Sequence, residues 1–537
     1  MDKQEIQHIH NAEQERAHDR AMGREDTGSF MGNLKTQIET WHSNRGDRSV
    51  AASIIPVPGR NRTQDTPTNP FKVLSRMTPL AYACFFAGWL AWFCDGYDYF
   101  SVPITLTDLA KEFDKTHADI AWALTVTTLV RVSGAVFFGI LADQYGRRYT
   151  LTINMLLVCV FELATGFVKT YQQFLGLRAA YGVAMGGTYA LAVATALENI
   201  PFEARGLVSG ILQQGYAIGN LLAAVIGMTT GQTSKYHWRT LFFFGGGFSL
   251  LAAIVRFSIP ESAQFKLARE EARAQQLSNK DQAKHFWHEL RAMLRTNWLR
   301  CAWCVFVMAG FCFLAHASQD MYTTYLKVTK KISPVDANKI SIISNCGAIV
   351  GGTLGGNFSQ FIGRRASILI SIIWTAAFIP LWILPHSFGG LAAGGFFMQW
   401  GVQSAWGVVP VYLSEVSPPA FRALFLGLFY QLGNMASGAS GTIEAVAGEH
   451  RKLPGTNTPD YATIQGIFVG VILAFVTICI IFGPEADAAH FELAKVAIQD
   501  GAGEAHMSDY IAEEDKHHSK HRVENVERKD SHATSFV

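Results

Sequence analysis

Charge is scarce in the long apolar runs of this sequence: Asp, Glu, Lys and Arg make up 16% of 537 residues, and they crowd into the two ends and into the connections between those runs. Such runs, of 18 or more residues, recur between about 79 and 485, each long enough to cross a bilayer as a helix. That excludes a string of soluble domains. Cysteine is sparse as well. The eight at 84, 94, 159, 301, 304, 312, 346 and 479 sit in the apolar runs, with the spacing of neither a disulfide framework nor a zinc site. Cys301 and Cys304 have redox spacing but open an apolar helix, so they read as packing residues. No G-x-x-x-x-G-K-[ST] loop, G-x-S-x-G elbow or metalloprotease helix is found, which argues against an enzyme and against an ATP-driven pump. No cofactor and no metal is expected. The basic tails lack interleaved aromatics, so nucleic acid is not an expected partner either.

What is present is a layout. A polar tail (1–78) rich in His, Arg and Glu, and a second one (486–537) with His517, His518 and His521, read as disordered, solvated and cytoplasmic. Between them lie six candidate spans at about 79–106, 119–141, 150–168, 172–195, 206–229 and 238–259, within a first unit 79–260. A charged connection (261–296) follows. Six more spans at about 297–326, 339–361, 366–386, 389–415, 420–443 and 462–484 make a second unit, 297–485. Loops carrying Arg147, Arg148, Arg205, Arg364, Arg365 and Arg422 place one face, with both termini, toward the cytoplasm.

The two units repeat each other. Gly139, Gly146, Arg147 and Arg148 return 217 residues later as Gly356, Gly363, Arg364 and Arg365, while Gln360 replaces Asp143. Glu198, Pro201, Arg205, Gly210 and Gln214 return in the same register as Glu415, Pro418, Arg422, Gly427 and Gln431. Chance likeness of apolar helices matches leucines, not Gly, Pro, Arg and Glu together. The sequence therefore predicts an all-α integral membrane protein of twelve transmembrane helices in two six-helix repeats.

Gly139-Ile-Leu-Ala-Asp143-Gln-Tyr-Gly146-Arg147-Arg148-Tyr-Thr-Leu151 resembles the signature G-x-L-x-D-x-x-G-R-R-x-x-[LI] of the major facilitator superfamily. The resemblance implies a conformational latch at Gly139, Asp143, Gly146, Arg147, Arg148, Arg364 and Arg365. His316-Ala-Ser318-Gln319-Asp320, with Thr324 beyond, resembles the seventh-span motif N-x-x-[ST]-H-x-[ST]-Q-D-x-x-x-T of fungal lactate/pyruvate–proton symporters, within the sialate–proton symporter family. Two positions depart from it: Cys312 stands for Asn and Ala315 for Ser or Thr.

That resemblance implies a plasma-membrane secondary transporter, functionally monomeric, moving a short monocarboxylate with a proton. Sialic acid, a dicarboxylate or another polar solute is the alternative cargo, and a non-transporting nutrient sensor the alternative class. The expected partners are a small organic anion, a proton and the lipid bilayer.

Polar groups at membrane depth are the candidate site. Cys312, His316, Gln319, Asp320 and Thr323 share one helical face. His316 and Asp320, one turn apart, are candidates for proton or substrate handling, since burial disfavours the charged form of each. Arg131 offers a permanent cation and a planar fork for a carboxylate, or else forms an ion pair with Asp95, Asp98 or Glu162. Asp95 and Asp98, sharing a face of the first span, are possible proton sites. Gln399 and Gln403 are expected to line the cavity. Gln213, Gln214, Asn220, Gln431 and Asn434 read as interhelical glue, and Trp400 and Trp406 as wall or packing.

Overall fold

The computed structural model describes residues 70–483, apart from 76, 116, 198–199, 202–203, 230–233, 262–278, 418–420 and 456–457. Both tails beyond this range, with their histidines, and Glu198 and Pro418 lie outside the described residues.

The described chain folds into long helices: α1 (Pro79–Glu112), α2 (His117–Tyr145), α3 (Arg147–Thr165), α4 (Tyr171–Leu197), α5 (Arg205–Met228) and α6 (Arg239–Ser258). The second half comprises α7 (Asn279–Gln319), α8 (Tyr322–Val328), α9 (Pro334–Ile362), α10 (Arg364–Ile383), α11 (Phe388–Val416), α12 (Arg422–Ser437), α13 (Ser440–His450) and α14 (Tyr461–Ile481). The repeat register holds at helix level: α2 and α9, α3 and α10, α4 and α11, and α5 and α12 begin at equivalent positions. Their starts are chemically marked. Thr78, Ser333, Ser387 and Asp460 accept from backbone N–H groups of the first turns of α1, α9, α11 and α14, and proline opens α1 and α9. Gly146 (φ 97°) and Gly363 (φ 89°) make the sharp turns into α3 and α10, a backbone region that other L residues rarely adopt.

Three features depart from the sequence reading. Residues 279–296, expected as connection, are helical and run into the seventh span across a kink at Asn297. That span is interrupted at Asp320–Met321, between α7 and α8. The eleventh span is likewise interrupted at Gly438–Ala439 and continues as α13 to His450, beyond the expected end near 443. Seven helices pass as membrane spans on length and apolarity alone among the described residues. Helices rich in Gly, Ser and Gln, such as α11, fall short because their polarity faces the protein interior rather than lipid.

The two halves meet tightly at the face that carries the arginine-rich loops. Asp143, at the end of α2, accepts from the backbone N–H groups of Ala423 (3.3 Å) and Leu424 (2.9 Å) at the start of α12. A carboxylate suits a helix N-terminus, where unpaired N–H groups and the helix dipole favour negative charge. Gln360 does the same across the pseudo-symmetric seam, accepting from Gly206 N–H of α5 at 3.1 Å. The substitution of Gln for Asp therefore keeps the acceptor and drops only the charge, so the same tie recurs at the pseudo-symmetric position. Ser209 adds a third tie, donating to Gly407 O at 2.8 Å. The arginines of these loops also make ties inside their own halves. Arg148 donates to Phe257 O, Arg364 grips Glu415 through two bonds of 3.1 and 2.9 Å, and Arg365 donates to Ile480 O. Gly139 lies against the backbone of Leu424, where any Cβ would collide.

Candidate functional site

Away from that seam the halves part around a cavity of about 750 Å³. Its walls come from both halves. Trp92, Tyr99, Arg131, Gln213, Tyr216 and Asn220 contribute from the first, and Cys312, Ala315, His316, Gln319, Asp320, Gln403, Trp406, Tyr430 and Asn434 from the second. Trp122, Thr125 and Leu129 from the early turns of α2 line its other end, so it runs toward the face opposite the arginine-rich loops. Trp122 is 53% exposed and the Asp320 side chain 44%, as expected of an open mouth.

Arg131 sits at the inner end. Its Nη2 donates to Asp95 Oδ2 at 3.1 Å and Oδ1 at 3.3 Å, while its Nε has no partner among the described residues. Arg131 is thus ion-paired with Asp95, one of the alternatives the sequence left open, and it also lines the cavity. Gly186 of α4 meets the backbone of Arg131, and Gly182 that of Thr127, so α4 lies directly on α2 and fixes where the guanidinium emerges. Around it stand aromatic rings that the sequence reading did not select. Trp92 stacks on Tyr216 (5.0 Å between centroids), Tyr189 on Tyr430 (4.1 Å), and Tyr430 lies 6.0 Å from the Arg131 guanidinium. Such faces attract cations and hold them in place. Apolar helices rich in aromatics offer no periodic cue for which rings line a cavity.

His316 Nδ1 and Asp320 Oδ2 are 2.9 Å apart on the cavity wall. The pair lies where α7 ends, and Asn434 of α12 lines the cavity on the facing helix. Gln319 also lines the cavity and donates to Gln399 Oε1 at 3.1 Å; Gln399 donates in turn to Ser318 O at 3.2 Å. Gln399 is buried and absent from the cavity wall, contrary to expectation, so it props Gln319 from behind. Gln403 does line the cavity. Thr323 leaves the shared face through the helix break and stands 3.4 Å from Ser341. Trp406 is wall, and Trp400 stacks on Trp374. Gln213, Asn220 and Asn434 line the cavity rather than only bridging helices, whereas Gln431 donates to Gly186 O.

Asp98 does not share the surroundings of Asp95. It is buried beside Glu162 and Arg178, accepts from Ser249 Oγ at 3.4 Å, and its Oδ1 lacks a partner among the described residues. Arg178 donates to Glu162 Oε1 at 2.9 Å and to Thr165 Oγ1 at 2.8 Å. One cation among two acids binds α1, α3, α4 and α6 into the first half, away from the cavity. Arg178→Gln strips the only ion-pair partner of Glu162 among the described residues. It is expected to cost on the order of 3–5 kcal/mol of stability, read as a lowered thermal unfolding temperature in detergent.

A helical membrane bundle of two repeats, closed at one face and hollow toward the other, is the architecture of a secondary transporter of the major facilitator superfamily. The chain belongs to the sugar (and other) transporter family, whose model matches residues 80–498. It is 33% identical over 433 residues to a carboxylic acid transporter protein homolog of Saccharomyces cerevisiae, covering 78% of this chain and 70% of that one. The sialic acid transporter NanX of Escherichia coli is 26% identical over 367 residues, 67% of this chain and 85% of its own. Among solved structures, the proton:xylose symporter XylE bound to 6-bromo-6-deoxy-D-glucose has the same fold. It aligns with a TM-score of 0.61 at 17% identity, over 74% of this chain and 94% of that one.

Proposed function

We propose that this chain carries a short monocarboxylate of the lactate and pyruvate type across the plasma membrane together with a proton, as a monomer with both termini cytoplasmic. The observation that carries this reading is the joint placement of a fixed cation, Arg131 from the first half, and an ionisable pair, His316–Asp320 from the second, around one cavity. The relative named as a carboxylic acid transporter homolog supports the cargo class.

Charge explains why a proton must travel. Arg131 is already balanced by Asp95, so a carboxylate that reaches the guanidinium adds an uncompensated negative charge to a low-dielectric site. A proton taken by the His316–Asp320 pair cancels it. The loaded carrier then has the same net charge as the empty one, and both can reorient. The anion alone leaves one charge in excess, which opposes the motion. In the cycle, the cavity mouth faces outside, the proton and then the carboxylate bind, and the halves rock. The Asp143 and Gln360 seams part, and both cargoes leave inward.

Asp320→Asn removes the titrating carboxylate while keeping its shape. In vesicles reconstituted with the pure protein, the ratio of gradient-driven pyruvate uptake to exchange at equal pH is expected to fall about tenfold under a gradient of one pH unit, the most such a gradient supports at one proton per anion. Undiminished concentrative uptake in that variant would remove Asp320 from the proton path. A membrane nutrient sensor, the alternative of another class, predicts no accumulation by the wild type at all.

A larger acid such as sialic acid is the second reading for the cargo. It is favoured by the cavity volume of about 750 Å³, ample for more than three carbons, and by Cys312 and Ala315 both lying on the wall where the lactate-type motif carries polar side chains. Competition of labelled pyruvate uptake by a panel of acids separates the two.

A further inference from the structure

Behind the His316–Asp320 pair lies a third ionisable group, Glu444, which sequence hydropathy assigned to the loop after the eleventh span. The interruption at Gly438–Ala439 restarts that span as α13, whose first turn abuts Asp320: a Cβ on Gly441 would stand 3.9 Å from Asp320 Oδ2. Glu444 follows one turn later on α13 and is fully buried. Its neighbours are few. Gln465 of α14 donates to its Oε2 at 3.2 Å, and Ser440 lies one turn back on its own helix. His316 and Asp320 of α7 are the ionisable groups facing it. No cation lies within ion-pair distance among the described residues, and Glu444 Oε1 has no hydrogen-bond partner there.

An ionised carboxylate, buried, unpaired and facing a second carboxylate, is too costly to persist; a neutral carboxylic acid is not. We infer that Glu444 is the inner proton-holding residue of the carrier: it bears a proton in this state and exchanges it with Asp320, the pair together forming the coupling site. This rests on the symport reading above. The step is a transfer between two carboxyl groups. The proton leaves the Glu444 acid, Asp320 gains it, and the negative charge passes from Asp320 to Glu444, so one proton is held in either arrangement. Asp320, open to the cavity, loads and unloads the site. Glu444, shielded from water, keeps the proton while the halves rock. Two interrupted helices meeting here, α7 at Asp320 and α12 at Gly438, give this spot the irregular backbone found where transporters bind their ions.

The bland account makes Glu444 a hydrogen-bond clamp to Gln465 across α13 and α14. Glu444→Gln distinguishes them, because an amide keeps that clamp and cannot take a proton. The full chain, reconstituted in vesicles, is read in two ways. Infrared difference spectra of wild type minus variant at neutral pH are expected to show the carbonyl stretch of a protonated carboxylic acid, shifted in heavy water; only a carboxylate band overturns the proposal. With labelled pyruvate under a gradient of one pH unit, the ratio of gradient-driven uptake to equal-pH exchange is expected to fall about tenfold in the variant and to recover in Glu444→Asp. A variant that concentrates pyruvate as the wild type does overturns the role of Glu444 and leaves symport standing. A wild type indifferent to the gradient overturns symport, and this role with it.

Discussion

Arg131→Gln is expected to abolish concentrative carboxylate uptake. Losing the cation that would meet the substrate should weaken binding by on the order of 2–5 kcal/mol, roughly 30- to 4,000-fold. The same change orphans Asp95, which accepts from Arg131 and is fully enclosed, and that should cost on the order of 3–5 kcal/mol of stability. A loss of transport alone is therefore ambiguous. The double variant Asp95→Asn with Arg131→Gln resolves it, since it removes both buried charges together and leaves two neutral amides. Thermal stability should return in the double variant while uptake stays lost. Recovery of uptake along with stability would reduce Arg131 to a strut and leave the anion without a binding partner.

Gly356→Ala is expected to have the second-largest effect, through the closed seam rather than the cavity. A Cβ there would stand 2.6 Å from Gly206 O and 2.6 Å from Gly210 Cα, both backbone atoms that cannot turn aside. Overpacking of this kind costs on the order of 1–3 kcal/mol, charged only to the arrangement in which the halves touch at this face. The ratio of the two arrangements should move about 5- to 150-fold toward the one open on the arginine-loop face. Spin labels on the loop-side ends of α2 and α12 should report a longer distance, and steady-state uptake should fall. An unchanged distance distribution would mean that α5 and α9 slide to make room without parting.

How much of this was legible beforehand depends on which residues carried a signal. The repeat was readable because glycine, arginine, proline and glutamate recur in one register, and the shared helix starts, such as Arg147 with Arg364 and Arg205 with Arg422, follow from it. Arg131, His316, Asp320 and Gln403 were readable as polar groups at membrane depth, and all four line the cavity. Asp95 and Asp98 looked alike in helical projection, yet one meets Arg131 and the other the Glu162–Arg178 pair, because α1 lies between different neighbours at those two levels. The break at Asp320–Met321 contains neither proline nor glycine, so no local residue announced it, while the one at Gly438–Ala439 was marked only by the small-residue run Ala436–Gly441, which an unbroken transmembrane helix also tolerates. Without the second break, Glu444 fell past the end of a hydropathy window; only the packing of α13 against α7 and α14 brings it inside.

The central claim, that carboxylate and proton cross together, is tested most directly by trapping a pH-reporting dye in vesicles that hold the full chain. Pyruvate is added outside, with no starting pH gradient and the membrane potential clamped. The lumen should acidify faster than in protein-free vesicles and faster than with the Arg131→Gln variant. Entry of labelled pyruvate through the protein with no acidification beyond the protein-free rate would contradict it.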